Sequence, residues 1–224
     1  MIKNIFVAAL AFCFAVSISA EVWKPSTGKG PEVFLDLNME DLKKQCDLKK
    51  KSIRDTRIYA PYLKRYKEIQ EDIVKKVKAD PKTNIDNLIK EQCLAHPELK
   101  KQIANVTDSF QLCLEEKDRL DKAKKDKLIQ KVLEIKCADL KKGVIIRAEE
   151  KCIKKEPPMC IEMMASVQDI LIPVPVKYTP QVCGEIRKLL QCKNAMKECK
   201  EETRKALESF VADEMALVRC PIEA

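Results

Sequence analysis

The stretch CGEIRKLLQCKNAMKEC, Cys183 to Cys199, carries three cysteines on a run whose apolar residues recur at helical spacing. Read as one helix rising about 1.5 Å per residue, it places Cys192 and Cys199 on one face but roughly 10 Å apart. A disulfide needs its Cα atoms within about 7 Å, so these two cysteines must reach other parts of the chain. Cys183 lies about two and a half turns before Cys192 and faces roughly the opposite way. One helix tied to several neighbours predicts the fold class: all-α, a disulfide-stapled multi-helix bundle.

The rest of the sequence extends this pattern. Glycine occurs only four times in 224 residues, which leaves few tight hairpin turns. Tyr59, Tyr62, Leu63, Tyr66, Ile69, Ile73 and Val77 line one face of a helix that Pro61 is expected to open and Asp80-Pro81 to end. Thr83 is the expected cap of the next helix, which runs to about Leu94; His96-Pro97 then precedes another through Phe110 and Leu114. After Asp118 a long helix carries Leu120, Ile129, Val132, Leu133 and Cys137 inward, with Gly143 as its expected C-cap. Shorter helices are expected near 144–155 and 158–171, then an extended proline-rich connector from Ile172 to Pro180. Thr179 should cap the helix containing Cys183. A last helix, about 202–218, sets Leu207, Phe210, Val211, Glu214 and Val218 at helical spacing. If the last two helices form an antiparallel hairpin, Cys183 and Cys220 meet at one end, and that pair is expected to be bonded.

Residues 1–20, MIKNIFVAALAFCFAVSISA, read as a secretory signal peptide: Lys3, an apolar run from Ile5 to Val16, and small residues Ser19 and Ala20 at the exit. An extended leader over 21–37 follows. The helical cysteine-rich domain spans 38–224, either as one body or as two sub-bundles joined near 172–180. Cleavage removes Cys13 and leaves Cys46, Cys93, Cys113, Cys137, Cys152, Cys160, Cys183, Cys192, Cys199 and Cys220. An even set in an oxidising compartment predicts five disulfides, although about 945 pairings are open to it.

Chemistry-bearing motifs are absent. There is no CxxC pair and one histidine, so no metal site is predicted. His96 stands alone at a helix junction, where an exposed turn residue is the expected role, and no GxSxG, HExxH, P-loop or GxGxxG occurs. No catalytic residue and no cofactor is predicted. Acidic pairs such as Glu115-Glu116 and Glu149-Glu150 are read as solvated surface. The net charge of +8 falls to +7 without Lys3. Lys49-Lys50-Lys51, Lys75-Lys76, Lys124-Lys125 and Lys141-Lys142 are interleaved with acids, which suits solvated helix faces better than a nucleic-acid surface. Asn105-Val106-Thr107 is a glycosylation sequon that would place its helix face in solvent. Met159, Met163, Met164, Met196 and Met215 gather in the C-terminal half, as core filling or as an apolar pocket lining.

The order of cysteines carries a resemblance. Phe110 to Glu116 with the long helix to Cys137, then CIKKEPPMC from Cys152 to Cys160, CGEIRKLLQCKNAMKEC, and the closing helix to Cys220-Pro221, resemble the insect 27 kDa haemolymph protein or glycoprotein family. Cys46 and Cys93 extend the match towards the N-terminus. The resemblance implies a secreted, often glycosylated helical protein of haemolymph or another secretion, venom included, with no established biochemical role.

Two functions are therefore expected. In one, the protein carries an apolar small molecule or lipid among its helices. In the other it is an interaction or effector protein, engaging an extracellular protein, a glycan or a membrane surface through its charged exterior.

Overall fold

The computed structural model describes residues 39–51, 56–153, 179–217 and 220. The signal peptide, the leader, Cys160, Met159, Met163, Met164, the helix expected at 158–171 and most of the connector lie outside the described residues. Among the described residues there are seven α-helices and no strand: α1 Met39–Leu48, α2 Thr56–Ala79, α3 Ile85–Ile89, α4 Pro97–Gln111, α5 Lys122–Ala148, α6 Pro180–Lys188 and α7 Glu201–Leu217. None of them is long and apolar enough to cross a membrane.

Helix α5 organises the others. Its 27 residues span about 40 Å, and α2, α3, α4 and α7 all pack against it. A helix covered from several sides has no single apolar stripe. Its buried residues accordingly range from Leu128 and Leu133 through Lys136, Cys137 and Asp139 to Val144 and Ile146. Helices α2 and α4 are amphipathic in the ordinary way. Tyr62, Tyr66, Ile69 and Ile73 of α2, and Leu99, Ile103, Val106 and Phe110 of α4, alternate by three and four residues and are buried.

Several ends differ from the expected ones. Helix α2 begins at Thr56 and runs through Pro61. Proline there removes one backbone bond, which the flanking buried Tyr59 and Tyr62 offset by anchoring the turn in the core. Asn84, not Thr83, caps α3 by accepting from the Asn87 amide at 3.1 Å. His96 is a cap as well: its Nδ1 accepts from the Leu99 amide at 3.3 Å, with Pro97 in the first turn. Leu120 precedes α5, whose cap is Asp121. Gly143 does not stop α5, which continues to Ala148 in place of a separate helix at 144–155. Glycine costs a helix roughly 1 kcal/mol, and burial of Val144 and Ile146 immediately beyond it exceeds that.

The run from Cys183 to Cys199 is likewise not one helix. Helix α6 ends at Lys188, tightens into a 3-10 segment over Leu189–Lys193, and becomes turns as far as Cys199. Leu189, Cys192, Ala195, Met196 and Cys199 are all buried. A 3-10 path turns residues three apart onto one face, so this spacing suits both geometries over so short a run.

Disulfides close the bundle. Cys46 of α1 bonds Cys113 beyond α4; Cys93, in a π-type turn following α3, bonds Cys137 of α5; Cys152 after α5 bonds Cys199 before α7. Cys183 of α6 bonds Cys220 after α7, which sets those helices antiparallel. Cys192 is also disulfide-bonded, to a partner outside the described residues. The bonded pairs are the pattern of a chain matured in an oxidising environment.

Gly184 offers a simple check on α6. A Cβ added there meets no atom within 4 Å. Gly184→Ala is expected to stabilise the protein by about 0.5–1 kcal/mol, through helix propensity and a less flexible unfolded chain. A melting temperature that falls on this substitution would contradict the assignment of α6.

Candidate functional site

The chemistry-bearing side chains divide into a buried cluster and an open groove. The cluster lies where α5 meets α7, under the tyrosines of α2. Lys136 Nζ donates to Glu214 Oε1 at 2.7 Å and lies 3.9 Å from Asp139 Oδ2. Lys142 Nζ donates to Asp139 Oδ1 at 3.4 Å, to the Ser209 carbonyl at 3.4 Å, and pairs with Asp213. Tyr66 donates its hydroxyl to the Lys136 carbonyl at 3.0 Å. Burial alone would pull the Lys136 ammonium down, but the attraction of Glu214 and Asp139 outweighs it and leaves its pKa raised. For Asp139, burial is the largest cause and the Glu214 charge the next; together they push its carboxyl well above the usual range against the pull of Lys136 and Lys142. Burial and the same carboxylates hold the Tyr62 and Tyr66 phenols far above their ordinary value, so both stay neutral.

A pattern of runs and spacings does not reveal this cluster. Lys141-Lys142 reads as a basic patch, yet Lys142 is buried, while Lys141 turns outward to Asp86 at 2.5 Å. Lys136, Asp139 and Glu214 line neither of the two described cavities.

The open groove is different. It encloses about 1000 Å³ between the end of α1, the start of α2 and the C-terminal half of α4. Lys50, Lys51, Arg57 and Lys125 surround it, with Asp108 the single carboxylate among the described lining residues, paired to Lys125 at 2.8 Å. Gln102, Asn105, Ser109 and Gln111 supply its polar wall, and Ile58, Pro61 and Leu112, the last 52% exposed, its apolar surface. Gln111 is itself fixed by accepting from the Leu120 amide at 2.8 Å.

The left-handed backbone of Lys50, at φ 53°, shapes one edge. Its amide donates to the Asp47 carbonyl at 2.9 Å and that of Lys51 to the Cys46 carbonyl at 2.8 Å, the reversal that ends α1. Glycine is the residue that suits this position; a lysine there is strained by about 1 kcal/mol.

The sequon has a divided placement. Asn105 is exposed and lines the groove, but Thr107 is fully buried with its hydroxyl bonded to the Ile103 carbonyl at 2.9 Å. Thr107 is thus withdrawn once α4 packs, and any sugar on Asn105 would have to be attached before folding.

The other readings have these outcomes. Met196 is fully buried in the core and Met215 packs partly against it; neither lines a described cavity. Glu149 is half-buried, takes the Thr203 hydroxyl at 2.8 Å and pairs with Lys200. The Lys200 contact is the main reason its carboxyl lies below the usual range. No group of histidine, cysteine, aspartate and glutamate among the described residues is arranged to hold a metal ion.

A family model described as a protein of unknown function, DUF1397, matches residues 50–216. No curated protein and no solved structure matches the chain.

Proposed function

The chain belongs to this family of proteins of unknown function, and on that premise we propose that it is a secreted, non-catalytic binding protein whose basic groove takes an anionic saccharide. The observation that carries the reading is Lys50, held in a strained left-handed backbone at the rim of a groove whose described lining has four cations and one carboxylate. Stability alone would favour glycine there, whereas the side chain adds an ammonium where an anion would enter. A volume near 1000 Å³ is at the upper end for small-ligand sites, and a wall of amides and a hydroxyl suits sugar hydroxyls. The signal-peptide pattern, the disulfides and the resemblance to insect haemolymph proteins support secretion into haemolymph or another secretion, venom included.

Carriage of an apolar small molecule or lipid is the second reading. The methionine group motivates it, three members of which lie outside the described residues. The groove favours the first, because four basic side chains and three side-chain amides line it.

Titration with a heparin tetrasaccharide at low ionic strength tests the groove. Binding that weakens with added salt, and about threefold to tenfold on Lys50→Gly, is expected. The same variant should melt higher than the parent, since it relieves the backbone strain. Undiminished affinity in Lys50→Gly and in Lys51→Glu would overturn the assignment. A lipid that copurifies and is lost on denaturation would favour the carrier.

A further inference from the structure

We propose that the α5–α7 interface holds one structural proton, shared between Asp139 Oδ2 and Glu214 Oε2, which makes acid the condition that locks these helices together. The inference concerns the buried cluster and does not depend on the groove.

Among the described residues the charges do not balance without it. Lys136 and Lys142 bring two cations, and Asp139, Asp213 and Glu214 three carboxyls. Asp139 and Glu214 are each 1% exposed, where an unneutralised charge has no water to stabilise it. Donors are short by the same amount. Lys136 serves Glu214 Oε1, and Lys142 serves Asp139 Oδ1 and Asp213. Asp139 Oδ2 and Glu214 Oε2 are buried with no donor at all.

The two carboxyls meet at one ammonium: Lys136 Nζ lies 2.7 Å from Glu214 Oε1 and 3.9 Å from Asp139 Oδ2. Two carboxylates only accept; one proton converts one of them to a donor, satisfies both orphaned oxygens and brings the cluster to neutrality. No hydrogen bond reaches either oxygen. Tyr66 donates to the Lys136 carbonyl, Tyr59 and Tyr62 on the same α2 face donate to neither oxygen, and Lys141 points away to Asp86.

The sign of the pH dependence follows. An aspartate in the unfolded chain loses its proton near pH 3.9, whereas in the fold burial, then Glu214, keep that of Asp139 bound to a higher pH. Between those limits the folded state carries one proton more. This contribution to stability is complete in acid and disappears as pH rises through the raised value. One proton changes the folding constant by about tenfold per pH unit.

Urea unfolding at a series of pH values should compare the parent with Asp139→Asn, whose amide can donate to Glu214 Oε2 in place of the proton. The parent's folding constant is expected to fall relative to the variant's by up to about tenfold per pH unit through the acid-to-neutral range. Infrared spectra of the parent provide a readout that does not require the variant to fold. A protonated-carboxyl stretching band should persist above the pH at which exposed carboxyls have ionised. Parallel pH profiles, or loss of all such bands together with the exposed carboxyls, would overturn the proposal.

Discussion

Lys136→Met is expected to destabilise the protein by about 3–5 kcal/mol, the usual cost of removing one partner from a buried ion pair. The ammonium lies 2.7 Å from Glu214 Oε1, and both side chains are withdrawn from solvent. Its loss leaves Lys142 to face Asp139, Asp213 and Glu214, so a further buried charge must be neutralised by protonation. Methionine fills much of the space of the lysine stem, which confines the effect to charge and hydrogen bonding. The penalty should therefore shrink in acid. Adding Glu214→Met in the same chain should recover a large share of the loss, because the uncompensated charge is removed with its partner. Urea midpoints for the two single variants and the double variant measure this coupling. A Lys136→Met cost under about 1 kcal/mol would contradict the burial of the pair.

Removing the Cys93–Cys137 bond should have an effect of similar size. The bond closes 44 residues and ties the turn after α3 to the middle of α5. In the chain-entropy account a loop of that length contributes about 4 kcal/mol, and losses of natural disulfides fall near 2–5 kcal/mol. Both cysteines are almost wholly buried, and alanine at each position also leaves unfilled space. The Cys93→Ala, Cys137→Ala double variant should unfold at a lower urea concentration. Its dependence on urea should be steeper, since an unfolded chain without the crosslink exposes more surface. An unchanged midpoint would mean that the core alone fixes α5 against the turn.

The interior of α7 was already legible in sequence: Leu207, Phe210, Val211 and Glu214 fall at one helical spacing, and all four are buried. The inward lysines of α5 were not. Lys136 and Lys142 lie in a run rich in exposed lysines, and a side chain of that type is assigned outward unless its partner is known. That partner, Glu214, is 78 residues away from Lys136. The groove is distributed in the same way. Lys50 and Lys51 stand in one charged run and Lys125 in another, and the fold brings both to the Asn105 face of α4.

Composition and periodicity by themselves determined the helical class, most of the helix order and the stripes of α2 and α7, because these depend on residues within a few turns of one another. Local chemistry also marked the sequon and the even set of cysteines expected to survive signal-peptide cleavage. Only the tertiary structure decided where α5 ends, how the chain bends after Lys188, which cysteines other than Cys183 and Cys220 meet, and which lysines are buried. Each of those outcomes is set by packing between segments distant in sequence. Burial of Val144 and Ile146 outweighs the local cost of Gly143, and Glu214 makes a charged residue acceptable in the core.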